Sequence, residues 1–210
     1  MKLSNILSNP TLYNLSQLLS RGSSYAKDYL GKYVQPQEGD RILDIGCGTG
    51  LMLKYLQKYF GDIKIDYVGF DMSDEYISSA KKEFKSKGQF YCNELTENSV
   101  FSLGEFDKVI AAGVIHHLDD AQATNLFKIG LNALKPGGQL ATLDGCYLAD
   151  RSMQSRIVTM LLDNDRGKYI RQQYEYEALV PAGFKKIISE VRHDLFMIPY
   201  TNLVMVCKKQ

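Results

Sequence analysis

The sequence predicts an α/β fold, a doubly wound seven-stranded sheet that is parallel except for a reversed terminal strand. Two observations predict it. Short runs rich in Val and Ile, bounded by Gly or Asp, alternate with polar, helically periodic stretches through most of the chain. Near residue 210, two further β-like runs follow each other across a connection too short for a crossover helix.

The elements follow in order. Residues 1–32 predict a helical N-terminal cap, an amphipathic segment with Leu12, Leu15, Leu18 and Leu19 on one side. Strands are expected at Arg41–Ile45, Asp66–Phe70, Gln89–Cys92, Phe106–Ala112 and Gln139–Asp144, each followed by a stretch able to form a crossover helix. Such strands, apolar at most positions, are buried on both faces of a parallel sheet. Residues 146–171 then form an insert after strand 5, ahead of a helix expected over Glu175–Val180. Lys185–Asp194 and Asn202–Lys208, joined through Pro199, predict an antiparallel hairpin. One domain, 1–210, accounts for all of it. Ligands of open α/β sheets bind beyond the carboxyl ends of the strands, so the cap and the insert are the expected covers of a pocket there.

Composition narrows the partners. Lys and Arg number 25 against 24 Asp and Glu, a net charge of +1. That balance provides no long-range field for phosphate backbones or anionic lipid, so neither nucleic acid nor a membrane surface is an expected partner. Cys47, Cys92, Cys146 and Cys207 are far apart, with no C-x-x-C pair, and read as reduced thiols. The first twenty residues are broken by Ser, Asn and Pro before a leader-length apolar run, and no stretch reaches the roughly 20 apolar residues of a membrane span. A cytoplasmic location is the expectation.

The chemistry is concentrated in Arg41–Gly50, RILDIGCGTG, a strand running straight into glycines 46, 48 and 50. Glycines there let the backbone bend sharply and approach a ligand. A pyrophosphate-binding G-x-G-x-x-G counted from Gly46 would need glycine at position 51, which is Leu51. Asp44 lies in the same turn, where a carboxylate repels pyrophosphate but attracts a cation. A structural turn in an unrelated α/β protein is the competing reading of the glycines alone.

The D-x-G-x-G-x-G string resembles the first motif of class I S-adenosylmethionine-dependent methyltransferases, whose fold is Rossmann-like, and the resemblance continues in order along the chain. It implies S-adenosyl-L-methionine as cofactor, held at Asp44, Gly46, Cys47, Gly48 and Gly50. YVGFD ends in Asp71, twenty-one residues beyond Gly50, the acid that would receive two ribose hydroxyls, with Met72 against the adenine. Glu94 is the matching acid for the adenine amino group. FDKVIAAGVIHHLDD and LKPGGQLATLD resemble the later family segments, with Ala112 and Gly113 lining the methionine side. For Asp71 a helix N-cap is the competing role.

His116 and His117 follow strand 4 at the edge where the methyl group should sit, and neutral imidazole is the usual general base near pH 7. Packing or a backbone hydrogen bond is the alternative for each. Some relatives bind a metal through E-x-x-E-H; here Gly113 and His116 stand at the two Glu positions, so no metal is expected. AAGV replaces the D/N-P-P-Y string of nucleobase-methylating enzymes. For the acceptor, Leu161–Tyr174 concentrates Arg166, Lys168, Tyr169, Arg171 and Tyr174, a set suited to a carboxylate, phosphate or phosphonate. Tyr13 joins them from the cap. The expected reaction is methyl transfer to O or N of a small molecule, with an anionic acceptor favoured by this segment. Two other readings stay open: a cofactor-binding interaction module without turnover, and a nicotinamide-dependent oxidoreductase, which Leu51 and the lack of a Ser-Tyr-Lys or zinc constellation oppose. Oligomeric state is not legible.

Overall fold

The structure, a computed structural model, describes residues 23–61, 63–148, 168–195 and 201–210. Tyr13, Arg166, the leucines of the cap and most of the insert lie outside these residues. The first helix, α1, is Ser23–Asp28, and it continues as wider π-helical turns over Tyr29–Val34, two residues past the expected cap. Strands β1 (Arg41–Ile45), β2 (Asp66–Asp71), β3 (Gln89–Cys92) and β4 (Phe106–Ala112) match the expected runs. Between them lie α2 (Leu51–Tyr59), α3 (Asp74–Phe84) and α4 (Glu97–Leu103). A 3-10 turn, Ile115–His117, precedes α5 (Asp120–Ala133), whose start is fixed by a capping box between Asp119 and Gln122.

Strand β5 runs from Leu134 to Tyr147 rather than starting at Gln139. Lys135-Pro-Gly-Gly reads as a breaker, but an irregularity between Phe106 and Lys108 in the β4 pairing absorbs it and keeps the run extended. A two-residue strand, β6 (Arg171–Gln172), pairs in parallel with Cys146 and Tyr147, making eight strands among the described residues where seven were expected. Helix α6 is Gln173–Ala178, earlier than expected, because a capping box between Gln172 and Glu175 starts it. Strands β7 (Phe184–Arg192) and β8 (Asn202–Lys209) form the antiparallel hairpin.

Strand order is β3-β2-β1-β4-β5-β8-β7, with β8 antiparallel to both its neighbours. Adjacent side chains along each central strand go to opposite cores. Ile42, Tyr67, Ile110, Ala141 and Val204 face α1, α2 and α3, while Leu43, Val68, Val109, Leu140 and Met205 face α4, α5 and α6. Both faces are therefore covered, as the apolar strands require. The segment Tyr25–Val34 is held on the sheet by Tyr29, whose hydroxyl donates to the Ala141 carbonyl at 3.0 Å, and by Gln139, which donates to the carbonyls of Tyr33 and Val34 at 2.7 and 3.0 Å. Among the described residues no helix is long and apolar enough to cross a membrane. The chain leaves β1 for β2 and β3 on one side and returns to β4 on the other, so the crevice between the carboxyl ends of β1 and β4 is the topological switch point.

Candidate active site

Strand β1 delivers the glycine turn to that crevice. Gly46, Gly48 and Gly50 have φ of 71°, 55° and 79°. At Gly46 the need is double: besides the positive φ, a Cβ would lie 2.4 Å from Val114 Cγ2, on the segment leaving β4. Only a glycine lets the two strand exits approach so closely. Four of the turn's N–H groups are occupied. Gly46 and Cys47 donate to the Phe70 carbonyl at 2.8 and 2.9 Å, Gly50 to the Cys47 carbonyl at 2.9 Å, and Gly48 to Asp71 Oδ2 at 2.9 Å. Burial holds the Cys47 thiol protonated.

Two carboxylates flank the turn. Asp44 is 2% exposed beneath it, its Oδ2 accepting the Tyr67 hydroxyl. Desolvation pushes its pKa up to about 7; the Tyr67 bond opposes the rise and the Asp71 charge adds to it. Asp71, at the end of β2, accepts from Gly48 through Oδ2 and from the Ser73 N–H through Oδ1 at 2.9 Å. Ser73, not Asp71, is the cap of α3, accepting the Tyr76 N–H at 3.3 Å. The competing role for Asp71 is thus filled by another residue. Met72 beside it is 77% exposed, and Glu94 is exposed on the loop after β3. Ala112 and Gly113 are half-buried at the end of β4, with the Gly113 N–H on the Leu143 carbonyl at 2.7 Å.

The histidines come next. Ala112 pairs with Leu143, so the residue after Leu143 lies beside the turn that leaves β4. That residue is Asp144. His116 Nδ1 is 2.8 Å from Asp144 Oδ1, which also accepts the His116 backbone N–H at 3.2 Å. A carboxylate only accepts, so Nδ1 carries the proton and Nε2 is the free ring nitrogen. Asp144 is buried, and its Oδ2 has no hydrogen-bond partner among the described residues. His117 lies against His116, ring centroids 4.2 Å apart and tilted by 43°. His117 is exposed on one side; desolvation of its covered face, then repulsion from His116, lowers its pKa. Asp144 was missed from the sequence. The available signal was an acid closing the apolar LATL run at the carboxyl end of a central strand.

The expected acceptor residues divide. The Tyr169 N–H donates to the His116 carbonyl at 2.9 Å, which brings 168–172 onto the histidine turn. Lys168 is exposed over the Tyr169 ring at 5.0 Å, and Tyr174 is 63% exposed on α6. Arg171 departs from expectation. Instead of presenting its fork to an anion, it is buried and all five N–H groups are used inside the fold. Nε and Nη2 donate to Asp120 Oδ1 at 2.9 and 2.7 Å, Nη2 to the Leu118 carbonyl at 2.7 Å, and Nη1 to the carbonyls of Tyr169 and Ile115 at 2.8 and 3.3 Å. Among the described residues no His, Cys, Asp and Glu side chains cluster as metal ligands.

This fold, glycine turn and acid series resemble those of the class I S-adenosylmethionine-dependent methyltransferases. The family described as "Methyltransferase domain" matches residues 42–138. Among curated proteins, the chain is 29% identical over 163 residues to phosphoethanolamine N-methyltransferase 3 of Arabidopsis thaliana, covering 76% of this chain and 31% of that protein. It is 27% identical over 200 residues to phosphoethanolamine N-methyltransferase 1 of the same plant, covering 93% and 39%. The chain therefore spans 31% to 39% of the length of these relatives. Solved structures share the fold. A phosphoethanolamine N-methyltransferase 2 of Haemonchus contortus, in complex with phosphomonomethylethanolamine and S-adenosylhomocysteine, superposes with TM-score 0.73 at 18% identity, covering 99% of this chain and 59% of that one. A Haloferax volcanii methyltransferase in complex with the Trm112 activator gives TM-score 0.74 at 16% identity, covering 99% and 97%.

Proposed function

We propose that this chain holds S-adenosylmethionine across the β1–β4 switch point and directs its methyl group to a nitrogen or oxygen of a small acceptor, an aminoalkyl phosphate of the phosphoethanolamine type being the favoured class. The carrying observation is that a His116–Asp144 pair, its carboxylate buried and its imidazole half-buried, stands at the same strand edge as the glycine turn and its two acids. The names of the relatives favour the amine and the phosphate.

The residues suit this cofactor better than a dinucleotide. All four N–H groups traced in the turn bond within the protein, leaving none of them for a pyrophosphate, while Asp44 supplies a negative field that favours a cation. Asp71 would hold the ribose hydroxyls on its remaining lone pairs, Met72 would lie on the adenine with Glu94 near its amino group, and Gly46, Cys47, Gly48, Gly50, Ala112 and Gly113 would line the methionine end. When bound, the sulfonium supplies an electrophilic methyl group. The chain's own work is to align the acceptor, exclude water and take a proton. His116, oriented through Nδ1, offers Nε2 to an ammonium or hydroxyl proton, and His117 stands next to it as a second neutral imidazole. Tyr169 and Tyr174, with Tyr13 and Arg166, would receive the acceptor's anionic group under the cover of residues 146–171.

Calorimetric titration with S-adenosylmethionine, S-adenosylhomocysteine and NAD tests the cofactor site. Both adenosyl ligands should bind and NAD should not. Asp71→Ala should weaken them by about 100-fold, since it removes charge-assisted bonds to the ribose and to Gly48. Selective NAD binding, or no adenosyl binding at all, sinks the reading.

Asp44 adds a proton linkage. Its folded pKa stands near 7, above the roughly 3.9 of an unfolded aspartate, so its contribution to stability is full below pH 4 and is lost as pH rises through 7. A cationic ligand favours the carboxylate, so S-adenosylmethionine binding near pH 7 should release a proton. Enthalpies measured in PIPES and in imidazole should differ accordingly, and Asp44→Asn should remove the difference. Equal enthalpies in both buffers with the wild type would refute the linkage.

A further inference from the structure

We infer that Arg171 is a positioning residue for the histidine turn, fixing the orientation of His116 from outside the reacting centre; the inference rests on the functional reading above. Residues 115–118 make a short 3-10 turn between β4 and α5, and a turn of that length has few bonds of its own with which to resist rotation. Here the carbonyls are gripped from one place. Arg171 Nη1 takes the Ile115 carbonyl, the Tyr169 N–H takes that of His116, and Arg171 Nη2 takes that of Leu118. The same guanidinium binds Asp120 Oδ1 through two nitrogens, which ties the turn to the first residue of α5.

Arg171 is itself held. It lies in β6, paired with Cys146 and Tyr147 of β5, two residues beyond Asp144 on the same strand. Its guanidinium is 5.7 Å from the centre of the buried Tyr176 ring, and the Tyr176 hydroxyl donates to the Gly145 carbonyl at 2.8 Å. The strand that carries Asp144 thus also seats the residue that grips the peptide backbone around His116. Both ends of the Nδ1–Oδ1 bond are referred to one frame, as second-layer partners orient a metal-bound or catalytic imidazole.

Lysine at 171 keeps the charge but has three rotatable donors on a point charge, and cannot span two carbonyls and a carboxylate in one plane. With phosphoethanolamine and S-adenosylmethionine as probes, Arg171→Lys should lower kcat about 10- to 100-fold. The KM for S-adenosylmethionine and the affinity for S-adenosylhomocysteine should remain within about twofold of wild type, since the bonds of Arg171 are all to the protein. The acid limb of the kcat pH profile should move. Nitrogen-15 spectra of the His116 ring in the S-adenosylhomocysteine complex should change from a single Nδ1-protonated form to a mixture. Asp120→Asn, which spares the carbonyl bonds, should lie between the two on every measure and serves if Arg171→Lys does not fold.

An unchanged ring spectrum and pH profile overturns the inference. So does a kcat loss matched by equal loss of S-adenosylhomocysteine affinity, which is the mark of a purely structural staple. The ring spectrum needs no turnover. If His116→Asn leaves kcat intact while Arg171→Lys still disorders the ring, the base assignment fails and the positioning stands.

Discussion

His116→Asn should lower kcat for phosphoethanolamine methylation by about 100-fold or more, the usual size of a lost general base. Asparagine is close in size and can still donate to Asp144 Oδ1, so the turn should keep its shape and S-adenosylhomocysteine should bind as before. What disappears is Nε2, the only basic atom that the Asp144 bond leaves free. Asp144→Asn should cost nearly as much by a different route. An amide partner no longer demands a proton on Nδ1, the imidazole loses its single tautomer, and the charge that stabilises the imidazolium is gone. His117→Asn should cost less, because among the described residues no carboxylate bonds to His117 to fix its tautomer. Steady-state kinetics of the three variants, with calorimetry as the control, decide the matter. If His116→Asn turns over at near wild-type rates while His117→Asn collapses, the roles of the two imidazoles are reversed.

Gly46→Val should abolish measurable cofactor binding and lower the melting temperature. The left-handed conformation at φ 71° costs an L residue about 1–2 kcal/mol, and a Cβ 2.4 Å from Val114 Cγ2 adds an overpacking cost of about 1–3 kcal/mol. The two penalties separate experimentally. Adding Val114→Ala to Gly46→Val removes the obstructing methyl groups but leaves the backbone strained, so it should recover part of the melting temperature and little of the binding. Wild-type affinity in Gly46→Val would show that the β1–β4 crevice is not where the adenosyl ligand sits.

How much of this was legible beforehand depended on distance along the chain. The glycine turn, Asp44 and Asp71 stand within or directly after single strands, and the local signals that place strands place them too. His116 was legible as a residue but not as half of a pair: its partner lies 28 positions away, and the pairing follows only from the β4–β5 register. Arg171 shows the same limit more sharply. In sequence it belongs to a basic, tyrosine-rich segment, and such composition suits anion binding; apart from the neighbouring Tyr169 carbonyl, its actual partners, Ile115, Leu118 and Asp120, lie more than fifty positions away. Residue type announced a cation to be satisfied, and topology decided by what. The eighth strand escaped for a simpler reason, since two residues carry no periodicity.

The placing of β8 between β5 and β7 sets an order of events during synthesis. The ribosome makes β7 first, yet among the described residues β7 pairs only with β8, which emerges afterwards. Until then β5 offers a bare hydrogen-bonding edge, apolar on both sides, of the kind that captures strands from other chains. The nascent domain must keep that edge occupied or shielded until residues 202–209 have emerged, and a chain truncated before residue 202 should expose it to strands of other chains.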